Sequence, residues 1–258
     1  MIDLLALVTL GFFLGMRHAT DPDHVIAVTT IVTRQRSVGD AALVGTLWGI
    51  GHTVTILAVG GAIVLLGLVI PPRIGLTMEL GVALMLIVLG LLNLRGLLRW
   101  ARAELAAGQG VHAHPHSHGD YVHTHPHGHE PASHGHRDDE TPQAWLDLTF
   151  GRLGAYQTLR PIMAGLLHGM AGSAAIALLV LATVRDPRWA LGYLLVFGLG
   201  TIAGMMLITA AIGLPVAYAG ARFARSLGLV SGLVSLALGL FLVYQIGFVD
   251  GLFTGSGR

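Results

Sequence analysis

Six apolar runs, each long enough to cross a bilayer, leave this chain very few ways to fold. They fall at roughly 3–33, 41–69, 76–98, 161–184, 189–214 and 226–248, and about 20 apolar residues suffice for one helical span. In lipid every backbone polar group must find its partner inside the segment, so such runs fold as helices. The composition agrees: 53% of the 258 residues are hydrophobic, 11% are charged, and the mean hydropathy is +0.71. These are values of a polytopic membrane protein, not of a soluble domain. There is no cysteine, which excludes both a disulfide framework and a thiolate metal site. The start, MIDLLALVTL, lacks a basic n-region, and its apolar run leads into a polar motif instead of a cleavage site. It is therefore expected to stay as the first span.

That polar motif is RHATDPDH, Arg17 to His24. Ionisable side chains at bilayer depth are costly, so they face a cavity or a partner and mark an ion or substrate path. His18, Asp21, Asp23 and His24 surround Pro22, and proline clashes with the preceding helical turn. The spacing predicts a helix broken at Pro22, with Asp21 as N-cap and Pro22 as the first residue of a second half-helix. On an unbroken helix Asp23 and His24 would lie roughly 140° and 240° around from His18. A break lets them converge and frees backbone groups, which is how many transporters build sites near the midplane. Imidazole plus carboxylate suits divalent first-row metals such as nickel, cobalt and zinc. The plainer alternative is an Asp21 that only caps a helix and histidines that only satisfy one another.

All 15 basic residues are arginine. Ten flank loops one, three and five, and four (Arg73, Arg185, Arg188 and Arg258) flank the other side, with Arg17 inside the first span. The excess places the odd-numbered loops in the cytoplasm and both termini outside. The two halves also look alike. GMRHATDPDHVIAV at 15–28 aligns with GLLHGMAGSAAIAL from Gly165, WGIGH at 48–52 with FGLGT at 197–201, and LGLL at 89–92 with LGLF at 238–241. The offsets are 150, 149 and 149. Three helices per half is an odd number, so the second copy must be inverted, a transporter signature. The fold read from the sequence is an all-α polytopic membrane protein of six transmembrane helices, arranged as two inverted three-helix repeats. Its parts are residues 1–100, a cytoplasmic His-rich disordered loop at 101–158, and residues 159–258.

Other residues support the motif. His52 follows Gly45, Gly49 and Gly51, and small residues let helices approach closely. Helix two is thus expected to pack on the broken helix one and bring His52 to the same site, with Thr53 and Thr55 orienting a ligand. His168, the counterpart of His18, is a further candidate, as ligand, proton acceptor or interhelical hydrogen-bonding group. Glu79 is expected at the interface, and Asn93 as either an interhelical bond or an orienting partner. Ten of the 14 histidines lie in the long loop: His112, His114, His116, His118, His123, His125, His127, His129, His134 and His136. VHAHPHSH at 111–118 recurs as VHTHPHGH at 122–129. Such a tract reads as a disordered, weak metal binder.

His-x4-Asp-His, His18 through Asp23 and His24, resembles the signature of the nickel/cobalt transporter family, and GHTVT at 51–55 is similar to that family's second motif. The resemblance covers roughly residues 10–60. It implies secondary transport of Ni²⁺ or Co²⁺, with His18, Asp23, His24 and His52 in the metal path. Fuller members carry eight helices and later acidic motifs that are absent here. HGMAGSAA at 168–175 is more similar to compact members linked to urease maturation, and the His-rich loop is similar to the exporters.

The function expected is secondary transport of Ni²⁺ or Co²⁺ across the cytoplasmic membrane, in the direction of uptake. The metal residues are His18, Asp23, His24, His52, Asp21 and His168. Efflux loaded by the His-rich loop is the alternative, and an intramembrane metalloenzyme is the alternative of another class. No HExxH motif or P-loop is present, so no enzyme is expected, and energy must come from an ion gradient, the membrane potential or a partner. The partners expected are a divalent metal and the bilayer, with a nickel-enzyme maturation system implied by the resemblance. No nucleic acid and no resident cofactor are expected, the metal being cargo.

Overall fold

Among the described residues four helices start on proline, at Pro22, Pro72, Pro161 and Pro187. The ring pre-sets φ for a first turn and lacks only an amide proton that would be unpaired there anyway. The computed structural model describes residues 4–33, 37–68, 70–107, 112–118, 121–127, 159, 161–171, 184 and 186–254. In chain order the helices are α1 (Leu4–His18), α2 (Pro22–Val32), α3 (Val38–Leu66) and α4 (Pro72–Ala107). After them come α5 (Pro161–Ala171), α6 (Pro187–Tyr218) and α7 (Gly220–Tyr244), the last running into a π-helical turn at Gln245–Val249. Ser37 caps α3 by accepting from the Asp40 amide at 3.0 Å, and Asp186 caps α6 by accepting from the Arg188 amide at 2.8 Å. Gly67, at φ 63°, ends α3 in a left-handed conformation that costs glycine little.

The chain is a polytopic helical membrane protein. Among the described residues four helices are long and apolar enough to cross a bilayer: Val38–Leu66, Pro72–Gly96, Pro187–Tyr218 and Phe223–Val249. The expected first span is two short helices of 15 and 11 residues, as its proline dictates. Of the expected fourth span only Pro161–Ala171 is described, and the rest of it lies outside the described residues. Exposed Leu43, Leu65 and Leu207 turn their side chains outward, which in a soluble protein would be a liability and in a bilayer is the solvent-matched surface.

Close backbone approaches hold the helices together. α1 runs alongside α6 in the same direction, Gly11 meeting Tyr193 and Gly15 meeting Phe197 and Thr201. α3 runs opposite to α6, Gly49 meeting Ile202 and Gly198 meeting Thr53, and it runs with α5, Gly51 meeting Ile162 and Gly165 meeting Trp48. α4 and α7 form an antiparallel pair in which Asn93 Nδ2 donates to the Gly228 carbonyl and Ser235 Oγ to the Leu86 carbonyl, each at 2.8 Å. Asn93 is therefore an interhelical bond. Two buried clusters fill the gaps, one around Val28, Val32, Trp48, Leu86 and Met205, the other around Ile56, Leu194 and Phe197.

Between α4 and α5 the described residues are an extension of α4 and a pair of strands. α4 continues to Ala107, beyond the apolar run, because RGLLRWARAELAA is rich in good helix formers. Strands β1 (His112–His118) and β2 (Tyr121–His127) then pair antiparallel, setting His112 opposite His127, His114 opposite His125 and His116 opposite His123. The two tandem copies share a period of two residues, which is that of a strand. Pro115 and Pro126 are tolerated because each strand of a two-stranded pair keeps one free edge.

Candidate metal site

The site starts from how α1 ends. The Thr20 amide donates to the Arg17 carbonyl at 2.8 Å and the Asp21 amide to the His18 carbonyl at 3.1 Å, so the last turn tightens and closes. Asp21, preceding proline, takes ψ 142°, away from the helical region, and α2 restarts on Pro22. This interruption brings the rings of His18 and His24 to 4.7 Å between centroids. His52 comes from α3 and His168 from α5. Those two helices touch because a Cβ at Gly165 would fall on the Trp48 carbonyl, and one at Gly169 would stand 2.8 Å from the His52 carbonyl.

Five side chains meet there. His18 Nε2 lies 3.0 Å from His52 Nε2. One carboxylate oxygen of Asp23 faces His24 Nδ1 at 3.2 Å, and the other faces His168 Nε2 at 3.0 Å. His24, His52 and His168 are buried, whereas the Asp23 side chain is 35% exposed. Ligand atoms of His18, His24 and His52 all lie within 4.8 Å of one another, as do those of Asp23, His24 and His168.

The hydrogen bonds assign the protons of neutral rings. Asp23 accepts from His24 Nδ1–H and His168 Nε2–H, and Asp21 accepts from His18 Nδ1–H at 2.8 Å. His18 Nε2 is then the acceptor toward His52 Nε2–H. The nitrogens left carrying lone pairs are His24 Nε2, His168 Nδ1 and His52 Nδ1, and each is buried without a hydrogen-bond partner. An unsatisfied buried polar group costs about 1–3 kcal/mol. A lone pair of this kind can be taken up by a hydrogen-bond donor or by a metal cation. Nitrogen donors with a single carboxylate oxygen match nickel, cobalt and zinc better than calcium or magnesium.

The chain is 32% identical over 254 residues to urease accessory protein UreH of Bacillus sp. (strain TB-90), a match that covers 98% of this chain and 96% of that protein. The chain belongs to the UreH family. No protein-family model and no solved structure matches it. Since the match runs nearly end to end, UreH kinship embraces both halves and the loop between them, not the His-x4-Asp-His motif alone.

Within this UreH-family chain the sequence-derived residues divide. His18, Asp23, His24, His52 and His168 come together. Asp21 stands outside both sets, and its carboxylate holds the back of the His18 ring. It sits at the N-cap position of α2 but makes no side-chain cap; one of its oxygens accepts from His18 instead. The glycines before His52 face elsewhere than expected: Gly45 and Gly49 meet α6 and Gly51 meets α5, not helix one. Thr53 and Thr55 do not orient the site. Thr53 donates to the Gly198 carbonyl at 3.1 Å and Thr55 to the Leu166 carbonyl at 3.0 Å, so both tie α3 to its neighbours. Glu79 is exposed near the start of α4. Of the loop histidines, His129, His134 and His136 lie outside the described residues. Two aromatic residues went unnoticed: Trp48 lies 5.8 Å from His168 and Phe197 5.5 Å from His18, ring to ring. The paired strings WGIGH and FGLGT carried that signal.

Proposed function

We propose that this protein is a secondary transporter that moves Ni²⁺ or Co²⁺ across the cytoplasmic membrane, in the direction of uptake, through the cluster of His18, Asp23, His24, His52 and His168. The observation that carries the reading is the meeting of four imidazoles and one carboxylate, from three separate parts of a helical membrane protein, with three buried nitrogens lacking any partner. The Asp23 carboxylate offsets part of the charge of a dehydrated dication, without which entry into a low-dielectric site is prohibitive. The family fits that choice of metal, the relative being named a urease accessory protein, and uptake is the direction in which a transported metal becomes available to an enzyme inside the cell. Arginine asymmetry supports termini outside and the His-rich segment in the cytoplasm.

The same reading treats the halves as inverted repeats. What supports it is reciprocity of contacts. Gly15 lies on the Phe197 carbonyl and Gly165 on that of Trp48; Gly200 lies on the carbonyl of Phe12 and Gly51 on that of Ile162. A Cβ added at Gly90 would stand 2.8 Å from the Gly232 carbonyl, and one added at Gly239 2.8 Å from that of Ala83. A shift of 149 or 150 residues carries one member of each pair onto the other. Because α1 runs with α6, α6 against α3, and α3 with α5, helices α1 and α5 point in opposite directions. Rocking of one half against the other then alternates access.

Purified protein in liposomes is expected to carry Ni²⁺ or Co²⁺ flux that Asp23→Ala and His24→Ala abolish while helical content and monodispersity persist. Normal flux in those variants removes the assignment. In cells, loss of the gene should produce a nickel-enzyme deficiency cured by added nickel; sensitivity to metal instead would reverse the direction.

A further inference from the structure

We propose that the site offers its cation two overlapping positions, one among His18, His24 and His52 and the other among Asp23, His24 and His168, and that the ion steps between them by exchanging partners around His24. The inference rests on the transport reading above and concerns how the ion passes.

The two donor sets share one residue, His24. Its ring is the hub of the cluster, with centroids 4.7 Å from His18, 5.0 Å from His52 and 4.2 Å from His168, whereas His52 and His168 are 6.0 Å apart. The flanking residues are held by contacts of their own: His18 by Asp21, His52 by His18, and His168 by Asp23. His24 presents Nδ1 to Asp23 and leaves Nε2 with no partner. A neutral imidazole has one lone pair to give, so His24 serves one position at a time. Two dications this close would also repel strongly across a low-dielectric gap. Occupancy is therefore exclusive, and passage is a handover.

The positions differ in two ways that give the handover a use. The first is built from neutral imidazoles alone, while the second includes the Asp23 carboxylate and so compensates charge better. The first draws only on α1, α2 and α3; the second needs His168 from α5. A movement of α5 relative to α2 would dismantle the second position and spare the first. Such a movement couples the strength of ion binding to the arrangement of the two halves, which is what alternating access requires.

The test is nickel retained by the full-length chain in detergent, counted above that of His24→Ala so that the loop histidines cancel, together with flux in liposomes. His52→Ala should keep one Ni²⁺ through the second position, and His168→Ala one through the first. The double variant His52→Ala with His168→Ala should keep none, and both single variants should lose flux. Asp23→Asn, close in shape and so sparing the fold, should behave as His168→Ala does. X-ray absorption on the retained nickel should show all-nitrogen protein ligands in His168→Ala and a carboxylate oxygen in His52→Ala. Loss of the ion from both single variants means one composite site and overturns the partition. So does undiminished flux in His168→Ala, or two ions per wild-type chain above the His24→Ala level. Failure of the wild type to hold any nickel above that level instead removes the transport reading itself.

Discussion

Where α1 meets α6, Gly15 lies on the Phe197 carbonyl and Gly200 on that of Phe12; where α3 meets α5, Gly165 lies on the Trp48 carbonyl and Gly51 on that of Ile162. Phe197 packs beside His18 in the first contact as Trp48 does beside His168 in the second. The chemistry nevertheless differs. His52 follows Trp48 by four residues and enters the cluster, while Thr201 follows Phe197 by four and donates to that residue's own carbonyl at 3.0 Å. The lesson is that close approach and chemistry are specified separately. Small residues fix how near two backbones come, and one side chain at the next turn decides whether the seam also carries a ligand.

The largest effects should come from filling the seams. At Gly15, Gly200, Gly51 and Gly165 an added side chain meets backbone, not the yielding end of a flexible residue. Overpacking costs typically about 1–3 kcal/mol and more where nothing can shift. Gly165→Val and Gly15→Val should each lower the thermal unfolding midpoint of the purified protein or prevent its recovery, and to a similar degree. Tolerance at one seam with collapse at the other would break the equivalence and leave only one of the two contacts structural.

Much of this was legible in the residues. The break at Pro22 could be read because proline's constraint is local and needs no knowledge of the tertiary fold. His52 could be placed because helical glycines announce a close neighbour, but they do not say which one, and the neighbours proved to be α5 and α6. His168 was visible only through its alignment with His18, since nothing around it is charged. Thr53 and Thr55 were misread for a related reason: a threonine beside a histidine reveals its hydroxyl and not the carbonyl of another helix that receives it. In the loop, the period-two alternation was present in VHAHPHSH, yet a histidine-rich tract that builds no packed core read as disordered.

A smaller effect sharpens the comparison on the α1 side. His18 alone in the cluster has a carboxylate behind it that belongs to neither donor set, Asp21. A ligating histidine commonly donates its second N–H to such a group, which fixes its orientation and raises its basicity. Asp21→Ala is expected to weaken nickel affinity by about tenfold to a hundredfold, the usual range for such partners. Asp21→Asn keeps an acceptor oxygen for the His18 N–H and should lose less. A loss on Asp21→Ala as complete as that of Asp23→Ala would make Asp21 a ligand itself, as the bare sequence allowed.

The smallest effect separates stability from binding. Thr53 donates to Gly198 across the α3–α6 contact, and Thr55 to Leu166 across the α3–α5 contact. Each bond joins a side chain to a backbone carbonyl between helices, and a typical hydrogen bond contributes about 0.5–1.5 kcal/mol net. Valine keeps the shape and removes the donor, while each carbonyl keeps the amide partner of its own helix. Thr53→Val and Thr55→Val should therefore each lower unfolding stability by about 1 kcal/mol, with nickel affinity unchanged, because neither hydroxyl touches the histidines. Thr55 sits next to Gly169, which is itself against His52, so it is the more demanding control. A drop in affinity on Thr55→Val without one on Thr53→Val would show that the α3–α5 seam, unlike its counterpart, transmits small displacements to the ligands.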